Sequence, residues 1–464
     1  MRLKLQGIAA LAAALSVSAT ACELDVEDLN NPGLDELEKN PTRVTVGAAC
    51  TGLVIGNRRN RAQANGYIAQ LGILGREAYN FDVADPRFIG ELLEGPLQPG
   101  SPFGGNFWGA PYANIRLANI VQRVAAQVAD YSEAEVSAII GFSKTIEALD
   151  LLEVAVTRDT NGGVIDTDRA IEDPLGPIVG RDEMLREVGK LLDEGSTDLA
   201  RAGEGSFPFE LSKGYAGFDA PESFVTFNRA VRARVAVYLK DYPAALTALA
   251  GSFLSDTGVT LETLQRGVSN SYSTSPGDQV NNLINPNIFA HPSLDKDAVK
   301  TPTVDARLTR KVKKVSDDEA GSAAGLSSNF VFNIYTSPSS PVPIIRNEEL
   351  LLLRAEAKFF NGNVTGLGGA IDDLNLVRIT SGGLAAFDVD MAMTEAQFVT
   401  ALLYERRYSL MFEGHRWIDV RRFDRAMTDL PLDLPDHVRN LRYPIPLAEC
   451  DARPGEPNCA LGSQ

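Results

Sequence analysis

The stretch that decides the fold is LYERRYSLMFEGHRWIDVRRF, residues 403–423. Its acids and arginines are spaced so that they can pair at i, i+3 and i, i+4 positions along a helix, or between helices. The residues that we expect to form this structural ion-pair block are Glu405, Arg406, Glu413, Arg416, Asp419 and Arg421. Gly414 permits a bend or a close approach. The pattern favours an ion-paired scaffold, because arginine and carboxylate fix geometry without chemistry, and a ligand site is the alternative.

Helical periodicity extends over most of the chain. It is clearest in residues 346–360, where Leu350, Leu353 and Ala357 fall on one face. The segments predicted to be helical are 42–56, 112–130, 132–157, 181–202, 222–239, 243–254, 346–361, 369–379 and 394–427. The sequence therefore predicts an all-α, mostly helical protein.

Two of the helical segments resemble tetratricopeptide hairpins. In residues 228–252, Ala233 lies in the first helix and Ala245 in the second, and these small side chains let the helices approach while Tyr242 fills the wedge. A second copy spans residues 355–377 and has a longer, glycine-rich turn. Two such hairpins in one chain favour helical-repeat packing as the scaffold.

The N-terminus predicts secretion and a lipid anchor. Arg2 and Lys4 precede an apolar run, residues 8–17, which is too short to cross a bilayer of about 30 Å hydrocarbon thickness. Small residues at 19–21 then lead into Cys22, whose thiol can take a diacylglycerol. Ordinary cleavage without lipid is the alternative. We expect a signal peptide over residues 1–21 and lipidation at Cys22.

The rest of the chain divides into a tether and a body. Residues 22–40 are acidic and rich in Asn and Pro, which predicts a flexible, extended tether. Residues 41–464 are expected to form a single helical body, with irregular loop insertions at about 75–112 and 256–345. No later segment is long and apolar enough to cross a membrane, so the lipid would be the only hold on the bilayer.

The charge of the chain argues against polyanionic partners. The formal net charge is −17, and nucleic-acid binding requires clustered cations. The longest basic stretch, residues 307–314, is followed at once by acids at 317–319, which predicts a solvated helix or hairpin face. We expect no nucleic-acid ligand.

Two of the four cysteines predict a disulfide. Cys450 and Cys459 bracket a turn-rich loop in a chain that is expected to reach an oxidising compartment. The small size of that loop limits its stabilisation to a few kcal/mol at most. Cys50 is left over, and we expect it to be buried as a small hydrophobe.

The sequence lacks the common catalytic and cofactor motifs. With three histidines, it has neither a His-Glu-x-x-His pair nor a Cys/His cluster at zinc spacing, and no phosphate loop, Gly-x-Ser-x-Gly elbow or Gly-x-Gly-x-x-Gly turn. Residues 159–168 alternate oxygen ligands, but Val164 stands where an EF-hand needs Gly, which favours a polar turn. We expect no catalytic residue, cofactor or metal site. A carboxylate pair for glycoside cleavage stays open, since only geometry identifies one.

The irregular stretch 75–112 carries the best candidate ligand site. The candidate ligand-binding residues are Arg76, Tyr79, Asp82, Arg87, Asn106, Trp108 and Tyr112. Aromatic faces flanked by Arg, Asp and Asn suit a sugar ring or a peptide, because stacking covers the apolar face while polar groups bond to the rim. The alternative is that Trp108 and Tyr112, which lie just before a helix, are core anchors. With two tryptophans in the chain, a glycan platform of several tryptophans is excluded.

Several motifs in a fixed order resemble the RagB/SusD family of nutrient-binding outer-membrane lipoproteins. Besides residues 403–423, they are NEELLLLRAEA at 347–357, RYPIP at 442–446, LDVEDLNNP at 24–32 and GRDEMLREV at 180–188. The resemblance covers nearly the whole mature chain, and the loops 75–112 and 256–345 are the least constrained. No single motif is specific, but their combined order is.

The resemblance implies a fold and a role. Members of the family are mostly helical, with four tetratricopeptide-like hairpins as scaffold and long loops, the early loop included, that carry the ligand site. They lie on the outer face of the outer membrane over a TonB-dependent transporter of the SusC type, and they are not known as enzymes. We therefore expect a lipid-anchored, non-catalytic subunit that captures oligosaccharide or peptide for a SusC-like transporter. A lipid-anchored scaffold for envelope protein assembly is the alternative, and a hydrolase is a third reading.

Overall fold

The structure is a computed structural model that describes residues 33–170 and 172–463 of the chain. The predicted signal peptide, the lipidation site Cys22 and the first part of the predicted tether lie outside these residues. The described residues contain eighteen α-helices and ten short β-strands. The prediction of a mostly helical protein is confirmed.

The helices account for nearly all of the regular structure. Their bounds are α1 Leu34–Lys39, α2 Arg43–Arg58, α3 Tyr67–Leu74, α4 Arg87–Ile89, α5 Gly109–Ala125, α6 Glu133–Arg158, α7 Arg181–Ala202, α8 Pro221–Tyr238, α9 Tyr242–Ala250, α10 Leu261–Gln265, α11 Ser293–Lys296, α12 Ala306–Lys311, α13 Asn347–Phe360, α14 Ala370–Thr380, α15 Glu395–Ser409, α16 Arg416–Arg422, α17 Ala426–Asp429 and α18 Leu447–Ala452.

The strands are short and tie loops to one another. Their bounds are β1 Ala78–Asn80, β2 Gly163–Val164, β3 Ile178–Val179, β4 Gly267–Asn270, β5 Ile288–Ala290, β6 Val312–Lys314, β7 Gly321–Ala323, β8 Leu326–Ser328, β9 Phe330–Phe332 and β10 Val342–Arg346. They form antiparallel pairs: β1 with β5, β2 with β3, β4 with β10, β6 with β9, and β7 with β8. Each pair joins two segments and builds no sheet layer.

Eight of the nine helical segments predicted from periodicity are present, with bounds that differ by a few residues. The ninth, 394–427, is wrong as one helix, because it is divided into α15, α16 and α17. Phe412 has a φ of 56° and Gly414 a φ of 85°, and such values end a right-handed helix. Gly414 is also a close approach, since a Cβ there would lie 2.8 Å from the Tyr67 ring.

The predicted extended tether is wrong at its C-terminal end. Residues 34–39 form α1, Leu37 is buried in the main core, and Glu38 pairs with Arg123 of α5 at 2.5 Å. Leu37 anchors this short helix to the body, while Leu34, one helical turn earlier, is 40% exposed. The low hydrophobicity of residues 22–40 as a whole concealed this anchor.

The two predicted hairpins are helix pairs, α8 with α9 and α13 with α14. Ala233 and Ala245 are fully buried, as a close approach of the first pair requires. Tyr242, which we expected to fill the wedge of its own hairpin, stacks on Phe360 of α13 with ring centroids 5.0 Å apart. The tyrosine therefore joins the first hairpin to the second.

The helices α5 to α8 pack in succession and form the centre of the protein. Gly141 of α6 and Gly195 of α7 lie where the two backbones are closest, since a Cβ at Gly141 would be 2.7 Å from the Gly195 carbonyl oxygen. One hydrophobic cluster extends from Leu37 to Ile445, and a second gathers around α13, α14 and α15. Cys50 is buried in the first cluster, as expected.

We find no helix in residues 33–170 or 172–463 whose length and apolar character would suit it to span a membrane.

Candidate functional site

The structure brings the two long irregular regions of the sequence together. β1 lies in the first region and β5 in the second, and they pair with Tyr79 opposite Phe289. A third segment, residues 430–440, joins them, because the Val438 N–H donates to the Leu93 carbonyl at 2.7 Å. We call this assembly of residues 76–97, 281–293 and 430–440 the loop face. It contains four of the seven candidate ligand residues.

Arg76 clamps the loop face from the inside. Its side chain is 1% exposed and donates to the carbonyls of Pro431 at 3.1 Å and Val438 at 2.8 Å. Its nearest carboxylate is Asp433, at 4.0 Å from Nε. Burial lowers the pKa of Arg76 to about 10. All of these contacts are internal, so Arg76 positions residues 430–440 and is not on the surface.

Tyr79 lies in a polar cluster beneath the same face. Its hydroxyl is 3.0 Å from Nε2 of His291, which in turn is 3.1 Å from Oδ1 of Asp433. Tyr79 is buried, and burial, reinforced by Asp433, raises the pKa of its phenol. The phenol is therefore neutral and bonded within the protein.

Asp82 and Arg87 lie at the rim of the loop face and are half-buried. Asp82 accepts the Ala84 N–H at 3.0 Å. Arg87 donates to both oxygens of Asp85, at 2.7 and 2.8 Å, and its guanidinium carbon is 5.3 Å from the Phe103 ring centroid. The hydrogen bonds from Arg87 hold the pKa of Asp85 below its usual range. These two candidates remain accessible to a ligand.

Asn106, Trp108 and Tyr112 gather around a different partner, Arg158 of α6. Arg158 donates to the Asn106 carbonyl at 2.6 Å, and its guanidinium carbon lies 5.5 Å from the ring centroids of Trp108 and Tyr443. Tyr112 donates to the Val164 carbonyl at 2.9 Å. Trp108 is 5% exposed. Trp108 and Tyr112 thus occupy the core-anchor positions that were the alternative reading.

An exposed aromatic plate, as the sequence suggested, is not formed. The chain has two tryptophans, twelve tyrosines and twenty phenylalanines, all within the described residues, and every one of them is buried or half-buried. The seven aromatic residues of the early loop, Tyr112 included, pack against one another or against the core. The reason is physical, because rings in an irregular loop stabilise it when they are removed from water.

The predicted ion-pair block is buried and forms charge-assisted contacts. Arg406 donates from Nε to Asp419 at 2.7 Å, between α15 and α16. Glu405 accepts from Arg307 at 2.6 Å and from Arg378 at 2.7 Å. These separations are typical of strong charge-assisted bonds, which fix orientation. The block therefore consists of structural contacts.

The ion pairs of this block form mostly between elements, which is one of the two arrangements that the spacing allowed. Among its six residues, the described structure contains one mutual pair, Arg406 with Asp419. The partners of the others lie far away in sequence: Glu413 pairs with Arg346 at 2.6 Å, and Arg421 with Asp159 at 3.0 Å.

Arg416 departs from the prediction of an ion pair. It has no carboxylate partner among the described residues and donates to the carbonyls of Gly75 at 3.0 Å and Asp429 at 2.8 Å. Because the chain turns back between α15 and α16, the acids and arginines face other elements, and i, i+3 spacing does not decide their partners.

The basic stretch 307–314 is also placed differently from the prediction of a solvated face. Arg307 is fully buried and donates to Asp305 at 2.7 Å as well as to Glu405. Lys311 is largely buried near Glu413. The exposed part is limited to residues such as Lys313 and Lys314 of β6. The buried cations are those that lie beside carboxylates, whereas Lys313 and Lys314 are both exposed in succession along β6.

The remaining sequence features are located as follows. Cys450 and Cys459 are joined by a disulfide. Asp159, in the predicted polar turn, begins a short 3₁₀ turn and binds Arg181 at 3.1 Å as well as Arg421. Among the described residues, no group of three or more His, Cys, Asp or Glu side chains is placed to hold a metal ion.

A second concave surface lies away from the loop face, on α2. It is an open groove of about 370 Å³. Its walls are one side of α2, including Val44 and Ala48, and the segment of Pro208 and Phe209. Arg43, Thr51 and Glu210 also line it, so its lining is partly apolar and carries one charge of each sign.

The comparison with protein families identifies the C-terminal part of the chain. Residues 334–453 match the SusD family. This range contains the motifs 347–357, 403–423 and 442–446, and the resemblance to the RagB/SusD family is confirmed. Among curated proteins, none is significantly similar to this chain in sequence.

Solved structures are similar to the chain over nearly its whole length. A laminarin-binding SusD-like protein is 16% identical, with 88% of this chain and 97% of that chain covered and a TM-score of 0.67. A SusD-like carbohydrate-binding protein from Bacteroides fragilis is 17% identical, with 83% and 87% covered and a TM-score of 0.66. NanU of B. fragilis is 16% identical, with 93% and 98% covered and a TM-score of 0.64. At these identities the likeness establishes the fold.

Proposed function

We propose that this chain, which belongs to the SusD family, is a non-catalytic substrate-binding lipoprotein of an outer-membrane nutrient importer. It captures an oligosaccharide or a peptide and delivers it to a TonB-dependent, SusC-like transporter. The observation that carries the proposal is the family match over residues 334–453, where three of the predicted motifs occur in order. The helical fold shared with SusD-like proteins supports it.

The anchor is part of the proposal. A lipid on Cys22 would hold the protein at the outer face of the outer membrane, and the acidic residues that follow would separate the body from the bilayer. Leu37 is buried, so the separating segment ends before α1. We therefore shorten the proposed tether to residues 22–33 and begin the single body at α1.

The loop face is the proposed ligand surface, and its accessible groups are polar. Asp82 and Arg87 are half-buried at its rim, whereas Arg76 and Tyr79 are internal. Carboxylate and guanidinium groups bond equally well to sugar hydroxyls and to peptide amides. One similar protein is described as laminarin-binding and another as carbohydrate-binding, which supports testing glycans first.

The experiment is a binding assay with the purified soluble body. Thermal shifts and isothermal titration with laminarin, other oligosaccharides and a peptide library should identify at least one ligand. Arg87→Ala should weaken that ligand about tenfold, because it removes a charged hydrogen-bond donor. Arg186→Ala, an exposed arginine on α7, is the matched control and should bind as the parent does. No ligand in any class would contradict the proposed capture step.

The partner is tested separately in membranes. Tagged full-length protein, solubilised in mild detergent, should co-purify with a large outer-membrane transporter. A parallel incubation with the glycan panel should give no cleaved product, since we propose binding without catalysis. Release of products by the parent protein would favour the hydrolase instead.

One observation favours a second function, a lipid-anchored scaffold for assembly of envelope proteins. The α2 groove is open and lined in part by apolar residues such as Val44 and Phe209, which can bind protein segments, and the described residues have no exposed aromatic side chain. A scaffold would show no small-molecule ligand but would co-purify with several envelope proteins. Val44→Asp, in the groove, should abolish that association, and Arg87→Ala, on the loop face, should leave it unchanged.

A further inference from the structure

Leu367 is the most exposed large hydrophobic side chain of the described residues, with 90% of its surface accessible. It lies in the turn between α13 and α14, the two helices of the second hairpin. The Gly369 N–H donates to the Gly366 carbonyl at 3.0 Å, and Gly368 has a φ of 78°, so residues 366–369 form a β-turn with a left-handed third residue. Leu367 is therefore at the tip of a turn, and its side chain points into solvent.

Hydrogen bonds on both sides of Leu367 hold this turn in position. The Gly366 N–H donates to the Val389 carbonyl at 3.0 Å, and the Gly368 N–H donates to Oδ2 of Asp372 at 2.8 Å. Both glycines have a positive φ, which glycine adopts without strain. The backbone thus presents Leu367 to solvent, although burying a leucine side chain would be favourable.

The apolar surface continues into the loop between α14 and α15. Met391 is 44% exposed and follows Val389 by two residues, and Ala392 is exposed beside it. The bond between Gly366 and Val389 joins this loop to the turn, and consecutive Cα atoms are about 3.8 Å apart, so these residues share one surface. We call Leu367, Val389, Met391 and Ala392 the hairpin-end patch. It shares no residue with the loop face or with the α2 groove.

The second loop of the patch is also fixed. Asn375 of α14 donates to the Phe387 carbonyl at 2.9 Å and accepts the Phe387 N–H at 2.8 Å. Arg378 of α14 donates from Nε to the Ala385 carbonyl at 2.6 Å. Because both loops are already held, a partner could bind the patch without having to order them.

Acidic side chains surround the hairpin-end patch. Asp372 bonds to Gly368, two acids flank Val389, and a fourth begins α15. These four carboxylates form no ion pair among the described residues: Asp372, Asp388, Asp390 and Glu395. The single basic residue of the segment 361–397 is Arg378, and it is paired with Glu405 at 2.7 Å. This part of the surface therefore has an apolar centre and a negative rim.

The shape and charge of the patch decide which occupant it fits. Two copies of the chain that met patch to patch would place acids against acids, which is unfavourable. Anionic lipid headgroups attract basic segments and would repel this rim. A small ligand requires a concave site, whereas Leu367 projects. A protein surface with a basic rim complements both the apolar centre and the acids.

We propose that the hairpin-end patch is a docking surface for a second protein, whose matching surface has an apolar pocket for Leu367 bordered by lysine or arginine. Leu367 is the anchor, because it contributes most of the accessible apolar surface. The acids orient the partner and speed the encounter. The docking surface is separate from the proposed ligand surface, and it does not depend on which ligand binds there.

The test begins with photo-crosslinking of the full chain in the cells that produce it, with p-benzoylphenylalanine in place of Leu367. The same replacement of Leu175, which is 57% exposed in the segment before β3, is the matched control. Position 367 should give one protein adduct that position 175 does not give. Mass spectrometry should locate the adduct on a surface that has apolar side chains beside lysine or arginine.

The crosslinked partner is then purified, and its binding is measured by titration and by association kinetics. Leu367→Ser should weaken binding about tenfold or more, because it removes the anchor. Asp390→Lys should slow association about tenfold, because it reverses a charge opposite the basic rim, and association of the parent should slow as salt is added. Leu175→Ser and Asp451→Lys change exposed residues elsewhere and should bind as the parent does.

Four results would overturn the proposal. Position 367 could give no specific adduct, or its adduct could be a lipid or a second copy of this chain. The crosslinked surface could be acidic. Binding of the purified partner could be unchanged by Leu367→Ser, a substitution of an exposed side chain that should keep the parental melting temperature. Finally, Leu367→Ser could abolish binding of the loop-face ligand, which would show that the patch is not a separate surface.

Discussion

Replacing Glu349 by Gln is expected to destabilise the protein by about 3 kcal/mol, because the substitution leaves a buried arginine without its counter-charge. Glu349 of α13 accepts from Arg234 of α8 twice, at 2.7 Å from Nε and 2.6 Å from a terminal nitrogen. The Glu349 side chain is 1% exposed and that of Arg234 is 9% exposed. The pair joins the first hairpin to the second, so its loss affects their packing.

The magnitude follows from the pKa of the carboxyl. Burial raises the pKa of Glu349, but the charge and hydrogen bonds of Arg234 outweigh burial and lower it from 4.5 to about 2. At about 1.36 kcal/mol per pKa unit, the difference corresponds to roughly 3 kcal/mol. This stability is present above pH 4.5 and is lost as the pH falls toward 2, because the folded-state pKa is depressed. Breaking a buried ion pair typically costs about 3–5 kcal/mol, which agrees.

The assay is urea denaturation at pH 7, followed by far-UV circular dichroism. The set contains Glu349→Gln, the single substitutions Glu349→Leu and Arg234→Met, and the double variant that combines these two. The double variant should recover most of the loss, since two apolar side chains leave no buried charge unpaired. Glu187→Gln is the matched control: Glu187 pairs with Lys190 on α7, and that lysine is 61% exposed. Its effect should stay below about 0.5 kcal/mol.

Two outcomes would refute the reasoning. One is a loss below about 1 kcal/mol for Glu349→Gln, close to that of the surface control, which would mean that the pair is solvated in the folded protein. The other is a double variant whose loss equals the sum of the single losses, since such additivity would mean that the two side chains do not interact.

Three further substitutions test other parts of the core. Burial raises the pKa of Asp150 to about 8, so its ionisation in the unfolded chain lowers stability as the pH rises from about 4 to 8. Asp150→Asn should therefore flatten the change in melting temperature between pH 6 and pH 9, measured by calorimetry. A pH profile equal to that of the parent would contradict this. Gly56→Ala would place a Cβ 2.1 Å from Oδ1 of Asn114 and should cost about 1–3 kcal/mol in thermal denaturation, whereas a parental melting temperature would show that Asn114 can move. Serine at both Cys450 and Cys459 should remove about 2–3 kcal/mol from the C-terminal segment, measured as faster amide exchange over residues 447–460, and parental exchange rates would contradict the estimate.

The helices could be predicted because their signal is local. A helix of three or more turns carries its apolar face in a window of about fifteen residues, and α6 and α13 are examples. The break between α15 and α16 could not be predicted in the same way. It depends on a positive φ at Phe412, a residue type that rarely adopts one, and on the Tyr67 ring beside Gly414. Only the folded contacts decide it.

The sequence predicts that these acids and arginines form ion pairs, but it does not predict which residues pair with each other. Arg307 and Glu405 are 98 residues apart, and nothing in their local patterns relates them. The clue was present at residues 305–307, because an Asp-x-Arg pair in an otherwise apolar turn can satisfy itself and be buried, as Asp305 and Arg307 are. The clustering of basic residues at 307–314 predicts a solvated face, but clustering does not show which side chains have buried partners.

The sequence predicts which loop carries the candidate ligand residues, but it does not predict which of them are exposed. Tyr79 and Trp108 were chosen as rings beside polar groups, and that description suits a binding surface and a buried cluster equally. Pairing of β1 with β5, more than 200 residues apart in sequence, decides between them by covering Tyr79 with His291. His291 and Asp433 had no distinguishing local pattern, so sequence reasoning missed them.

The buried charges of the C-terminal third also explain how the loop face is held in position. Apolar side chains could replace such pairs at little cost in stability, so their value lies in orientation, since an arginine fork accepts few geometries. Glu405 of α15 holds Arg307, which lies after β5 within the long irregular region, and Arg378 of the second hairpin. The scaffold thus fixes the end of the segment that carries β5, while Arg76 fixes residues 430–440. Between these two fixed points, the contact of His291 with Asp433 at 3.1 Å joins the residue that follows β5 to residues 430–440, so the loop face is held to the scaffold at both ends.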